Sequence, residues 1–250
     1  MPSWIGQAVR YGIVTSRYPE AAATDAEVPA TGRPPAATDG TVDVAAAAAR
    51  CPVGAIREGE LDRGRCVRCA RCLPNGFAFS GPVEAATRHR SELRVGTPAP
   101  HGPGLAAAEP PLANFPRSLH VFLVDVGSCN ACNLEVMALA NPFYDASRLG
   151  IFFTNSPRHA DVLLVVGVPT EEMVEPLRRA YEALPAPKAV VAVGVCPISG
   201  GAFRGSPGLK GSLDEIVPVD LYVPGCPPSP VNVLDGLLRV IGRGRAGGER

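Results

Sequence analysis

From residue 117 onward, short apolar runs alternate with stretches of helical periodicity. Residues 118–126, 149–154, 161–166, 189–195 and 219–223 are rich in β-branched and other apolar residues, which predicts buried strands. Between them, 130–140 carries Leu134, Met137 and Ala138 at helical spacing. Residues 171–184 open on acidic side chains and carry Arg178 and Arg179 later, and 230–241 reads as a closing helix. Strands alternating with helices imply a largely parallel sheet covered on its faces, so 117–243 is expected to be an α/β domain.

The order of those elements suits a flavodoxin-like sheet. The first hundred residues have another texture. Trp4, Ile5, Ala8, Val9 and Tyr11 mark one face of a short helix over 3–13, suited to its own domain, a partner or a membrane surface. Residues 20–40, rich in Ala, Pro, Thr and Gly, predict an extended, poorly ordered stretch within an N-terminal arm over 1–40. A small, loop-rich unit over 41–80 holds four cysteines; a linker over 81–116, with prolines towards its end, follows, and 244–250 is a tail.

Composition narrows the chemistry. Lys and Arg number 24 against 24 Asp and Glu, so no global charge argues for nucleic acid. No apolar run reaches the roughly 18 residues of a membrane span, and the N-terminus lacks the features of a signal peptide. Eight cysteines in a reducing, cytoplasmic compartment point to metal rather than disulfides.

Those cysteines fall into two sets. Cys129, Cys196 and Cys226 each follow a predicted strand, and Cys132 lies in the first turn of the helix after Cys129. Open α/β sheets bind ligands beyond the carboxyl ends of their strands, so the four converge on one edge. The spacing suits an iron–sulfur cluster; a structural zinc more often uses two local pairs. In the other set, Cys66-Val-Arg-Cys69-Ala-Arg-Cys72 has the bacterial ferredoxin spacing, but Gly76 stands where its fourth ligand belongs. Upstream, Cys51-Pro52 ends a second run whose other positions are Thr41, Val44 and Ala47. The fourth cysteine of each such run ligates the other cluster. Cys51, Cys66, Cys69 and Cys72 are therefore one complete ligand set, and the missing cysteines are the other. A short zinc knuckle is the alternative for these four. Arg63, Arg65, Arg68 and Arg71 lie around the site, to offset an anionic cluster, to dock an acidic donor, or as a solvated basic loop.

Four motifs carry a family resemblance: Gly127-Ser-Cys-Asn-Ala-Cys-Asn-Leu-Glu135, Ser156-Pro-Arg-His-Ala-Asp161, Gly194-Val-Cys-Pro-Ile-Ser-Gly-Gly201 and Pro224-Gly-Cys-Pro-Pro228. Over roughly 118–242 the chain resembles the proximal-cluster subunit shared by complex I and the energy-converting [NiFe]-hydrogenases. Its Cys-x-x-Cys is the hydrogenase form, as in formate hydrogenlyase, where complex I members have adjacent cysteines. The earlier residues resemble the ferredoxin-like subunit of formate hydrogenlyase-type complexes, through Tyr11-Gly-Ile-Val-Thr-Ser-Arg-Tyr-Pro19 and Leu61-Asp-Arg-Gly-Arg-Cys66. The chain thus looks like a fusion of the two with one cluster deleted.

The resemblance implies two [4Fe–4S] clusters, a proximal one on Cys129, Cys132, Cys196 and Cys226 and a ferredoxin-like one on Cys51, Cys66, Cys69 and Cys72. It implies a large catalytic partner, either [NiFe]-hydrogenase-like or quinone-reducing, with membrane subunits and an electron donor or acceptor protein. The chain would sit peripherally on the inner face of the membrane, with no complete active site of its own. Glu135 becomes a candidate proton relay at the large-subunit interface, and Arg158 and His159 lie near that interface. Alternatives are a complex I-like subunit that passes electrons to quinone and a zinc-stabilised interaction protein without a redox role. No Gly-x-Gly-x-x-Gly opens a helix, so no dinucleotide is expected.

Overall fold

The computed structural model describes residues 14–38, 40–57, 59–96, 110–115 and 117–244, with Gly6, Val9, Arg10 and Gly12 ahead of them. Most of the short helix expected over 3–13, most of the proline-rich stretch after Gly96 and the tail after Gly244 thus lie outside the described residues.

The amino-terminal unit is built from strand β1 (Ala36–Ala37), helix α1 (Val44–Arg50), strands β2 (Ile56–Arg57) and β3 (Glu60–Asp62), and strands β4 (Phe77–Ala78) and β5 (Arg94–Gly96). Its sheets are antiparallel, one ordered β2-β3-β5 and the other pairing β1 with β4. Five consecutive alanines drive α1, and the Asp43 side chain caps it by accepting the Ala46 N–H at 2.9 Å. Ala47, Ala55, Ile56, Leu61 and Phe77 form its core.

The carboxy-terminal unit runs β6 (Leu119–Asp125), α2 (Ala131–Ala138), β7 (Ile151–Phe153), β8 (Val162–Val166), α3 (Glu171–Ala183), β9 (Ala189–Val193), α4 (Val195–Ser199), β10 (Leu221–Val223) and α5 (Pro230–Val240). The five strands are parallel in the order β10-β9-β8-β6-β7. Renumbered within the unit, that is the 2-1-3-4-5 order of the flavodoxin-like fold. Every residue of β8 and β9 is buried, because each face of the sheet carries its own apolar layer.

Three expectations need correction. The arm is packed: Tyr18 is 1% exposed and Val28 0%, and the Tyr18 hydroxyl donates to Asp235 on α5 at 2.7 Å. Arg148 reinforces it by donating to the Ser16 and Tyr18 carbonyls at 3.0 and 3.2 Å. Buried Val83, Ala86 and Leu93 show that much of 81–96 is structure rather than linker. Thr87 bridges to Tyr222 on β10 with backbone bonds of 2.9 and 2.8 Å, and β5 completes the sheet of β3. The amino-terminal unit therefore takes strands from both sides of 41–80.

Candidate metal centres

Strand β6 ends at Asp125, and the chain must turn at once into α2. Asp125 organises that turn, accepting from the Gly127 and Ser128 N–H groups at 2.9 and 2.8 Å, and from Ser128 Oγ and Asn133 Nδ2 at 2.6 Å each. Burial alone would raise this carboxyl's pKa; the hydrogen bonds overcome it and hold the group below its ordinary value. Cys129 emerges from the turn exposed, and Cys132 points inward from the first turn of α2. Cys196 is buried on α4, directly after β9, and Cys226 follows β10. All four come from the carboxyl ends of parallel strands.

Their proximity appears in their electrostatics. Burial first, then Cys196, Cys226, Cys129 and Glu135, pushes the Cys132 thiol up to about 12. Burial and then Cys226 and Cys129 push Cys196 up to about 11, and burial with Cys129 raises Cys226 against the opposing charge of Arg68. Gly194, at φ +90°, leaves the space beside them: a Cβ there would lie 2.7 Å from the Cys132 Sγ.

The second set assembles by a different route. Cys51 caps the end of α1, while Cys66, Cys69 and Cys72 follow β3 in a loop that turns through positive φ at Arg68 and Ala70. All four line one pocket with Val53, Ala55, Ile56 and Leu61. Cys51 Sγ accepts the Ala55 N–H at 3.2 Å, and Cys66 accepts that of Arg68. Burial, with Cys72 and Cys51 adding to it, pushes the Cys66 thiol up to about 12, and burial also raises Cys72. The positions without cysteine also come together. Gly76 packs so closely on Thr41 and Val42 that a Cβ would meet the Thr41 carbonyl oxygen at 2.7 Å, and Val44 and Ala47 join the apolar core.

The donors in both sets are thiols alone, a soft set that suits iron–sulfur or zinc chemistry. Among the described residues, no three or more His, Cys, Asp or Glu side chains are grouped to hold a single metal ion.

The arginines divide. Arg71 is exposed, whereas Arg63 is buried and Arg65 lies 3.4 Å from Asp62, which also takes two bonds from Arg90 at 2.9 and 2.7 Å. Arg65, Arg90, Arg94 and Arg204 line a cavity of about 650 Å³ between the two units, together with Ser199, Asp214 and Glu215. Arg68 is half-buried and donates to the Pro227 carbonyl, next to Cys226, at 3.0 Å. Glu135 sits half-buried on α2, its carboxyl pKa raised by burial and lowered by Arg68. Around it, Leu134 and Met137 are 60% and 66% exposed. Arg158 and His159 are exposed on the turn before β8, at that strand's amino end, so the fold does not bring them to the cysteine edge. The Asp125 turn and the reach of Arg68 are the parts of this region that sequence reasoning missed.

A parallel sheet of this order, with cysteines at its carboxyl edge, defines an α/β domain whose ligand-binding edge is built of thiols. Residues 129–240 match the family described as the 20 kDa subunit of NADH ubiquinone oxidoreductase. A probable membrane-bound hydrogenase subunit of Pyrococcus furiosus is 48% identical over 122 residues, which span 49% of this chain and 73% of that protein. Formate hydrogenlyase subunit 7 of Escherichia coli is 44% identical over 131 residues, 52% of this chain and 51% of the relative. An NADH-quinone oxidoreductase subunit of Desulfovibrio desulfuricans is 40% identical over 141 residues, 55% and 76% respectively. The chain belongs to the NADH-ubiquinone oxidoreductase 20 kDa subunit family. The matches cover about half of it, and the family match begins at Cys129, beyond the amino-terminal unit.

Proposed function

We propose that this chain is an electron-transfer subunit holding two [4Fe–4S] clusters in a [NiFe]-hydrogenase-type complex. The observation that carries the reading is the division of eight cysteines into two complete sets of four, each gathered in its own part of the fold. Cys129, Cys132, Cys196 and Cys226 would hold the proximal cluster, and Cys51, Cys66, Cys69 and Cys72 the ferredoxin-like one. When bound, the clusters supply one-electron transfer. The chain's own residues do the rest: they supply thiolates, exclude water, donate N–H groups to sulfur and set the local charge. The close packing at Thr41, Val44, Ala47 and Gly76 fits a unit from which one cluster has been lost entire.

The exposed side chains of Leu134 and Met137, flanking Glu135 beside the proximal site, suit burial against a large catalytic subunit. Glu135 would move protons at that interface. The exposed Arg71 beside the other set suits an acidic electron donor or acceptor. No described helix is long and apolar enough to cross a membrane. The Cys-x-x-Cys of Cys129 and Cys132, shared in form with hydrogenases, favours a nickel-bearing partner over a quinone-reducing one.

Anaerobically prepared chain is expected to contain about eight iron and eight sulfide, with broad visible absorption. Four iron with one zinc overturns the two-cluster reading, and zinc alone turns the chain into an interaction protein. In the isolated complex, nickel in the large subunit is expected; quinone reduction without nickel would assign the chain to the complex I type.

A further inference from the structure

Arg68 belongs to one cysteine set by its backbone and to the other by its side chain. It lies between Cys66 and Cys69, and its φ of 54° is a left-handed turn uncommon for a residue with a side chain. That turn directs the Arg68 N–H to the Cys66 thiol. The guanidinium leaves the loop and donates to the Pro227 carbonyl at 3.0 Å. It also packs on Gly225, where a Cβ would stand 2.7 Å from Nη2. Its charge is felt by Cys66, Cys226, Cys132 and Glu135 together, thiols of both sets and the carboxylate beside them. An arginine in this position stays cationic, and half-burial keeps water from screening it.

We propose that Arg68 is a shared electrostatic bridge, one fixed cation that eases reduction at both metal sites. The proposal rests on the two-cluster reading and assigns a role to a residue which that reading does not need. Reduction adds one electron to a site and forms or breaks no bond, so the added negative charge meets the nearby guanidinium. Because one cation serves both sites, losing its charge is expected to lower both potentials together. Cys66, Arg68, Pro224 and Gly225 also line one small space, so the two sites meet there at a packed boundary.

The test is an anaerobic potentiometric titration with dithionite as the electron source, followed by electron paramagnetic resonance, on the full chain. Iron and sulfide are counted first. Wild-type chain without two clusters refutes the underlying reading, whereas intact clusters allow this inference to be judged alone. Arg68→Gln keeps a hydrogen-bond donor and loses the charge; the equilibrium constant for reduction is expected to fall about tenfold at each site, about 59 mV per one-electron couple. Arg68→Lys, which keeps the charge, is expected to hold both potentials near wild type. Should the glutamine variant fail to bind both clusters, Arg68→Met fills the same space with the same expectation. Unmoved potentials overturn the proposal, and so does a fall at one site only or an equal fall in the glutamine and lysine variants.

Discussion

Gly194→Ala tests whether the carboxyl edge of the sheet holds a cluster. The residue sits at φ +90° and ψ 165°, a region used essentially by glycine, so alanine there costs roughly 1–3 kcal/mol in the backbone. The new methyl would lie 2.7 Å from the Cys132 Sγ and 3.5 Å from the Gly225 oxygen. An ordinary contact needs about 3.5–4 Å, so the sulfur must retreat by about 1 Å. Domains of this size are stable by about 5–15 kcal/mol, which leaves the variant folded. Metal ligands, in contrast, tolerate only about 0.2 Å. The expected result is selective: iron falls from about eight to about four per chain, the proximal paramagnetic signal disappears and the other survives. Iron and sulfide analysis with parallel spectroscopy reads this directly. A full iron complement with both signals intact would refute the assignment of this edge.

Three further outcomes follow from the same geometry. Cys51→Ala and Cys69→Ala should abolish the same paramagnetic signal despite their separation in sequence, while Cys129→Ala abolishes a different one; two distinct losses from the first pair would undo the split ligand set. Glu135→Gln should leave cluster content and assembly intact and strongly reduce turnover of the whole complex, because the amide cannot carry a proton; turnover at the wild-type rate would leave Glu135 a plain helix residue. Raised thiol pKa values favour the protonated apo fold, a contribution present below the ordinary thiol pKa of about 8.5 and lost as pH climbs towards the value of about 11 for Cys196 and about 12 for Cys66 and Cys132. Ligation removes those protons, so equilibrium iron uptake should strengthen from pH 6 to pH 9, roughly the range in which the thiols resist ionisation. Uptake independent of pH would contradict the burial that raises them.

The parallel sheet was legible because central strands such as β8 and β9 bury both faces and so read as unbroken apolar runs. Cysteines that directly follow such strands announce their edge in advance. The packing of the arm was hidden, since Ala, Pro and Gly say nothing of the Tyr18 hydroxyl meeting a carboxylate 217 positions away. Residues 83–96 were hidden for a similar reason: their order comes from edge pairing with β10 and β3, which is a property of the partner strands. The direction of Arg68 depends on a positive φ at a non-glycine residue, and local propensity argues against that conformation.

The route of the chain has a mechanical consequence. It touches the carboxy-terminal unit at Tyr18, again at Gly64 and Arg68 in the unit around Cys51, and at Thr87, before it enters its own sheet at Leu119. The two units are therefore held together at several points spread along the chain, like a seam with more than one stitch. A protease cut between 97 and 109 would sever the covalent connection but leave these contacts in place. The nicked protein should still migrate as a single particle on gel filtration and separate only in denaturant.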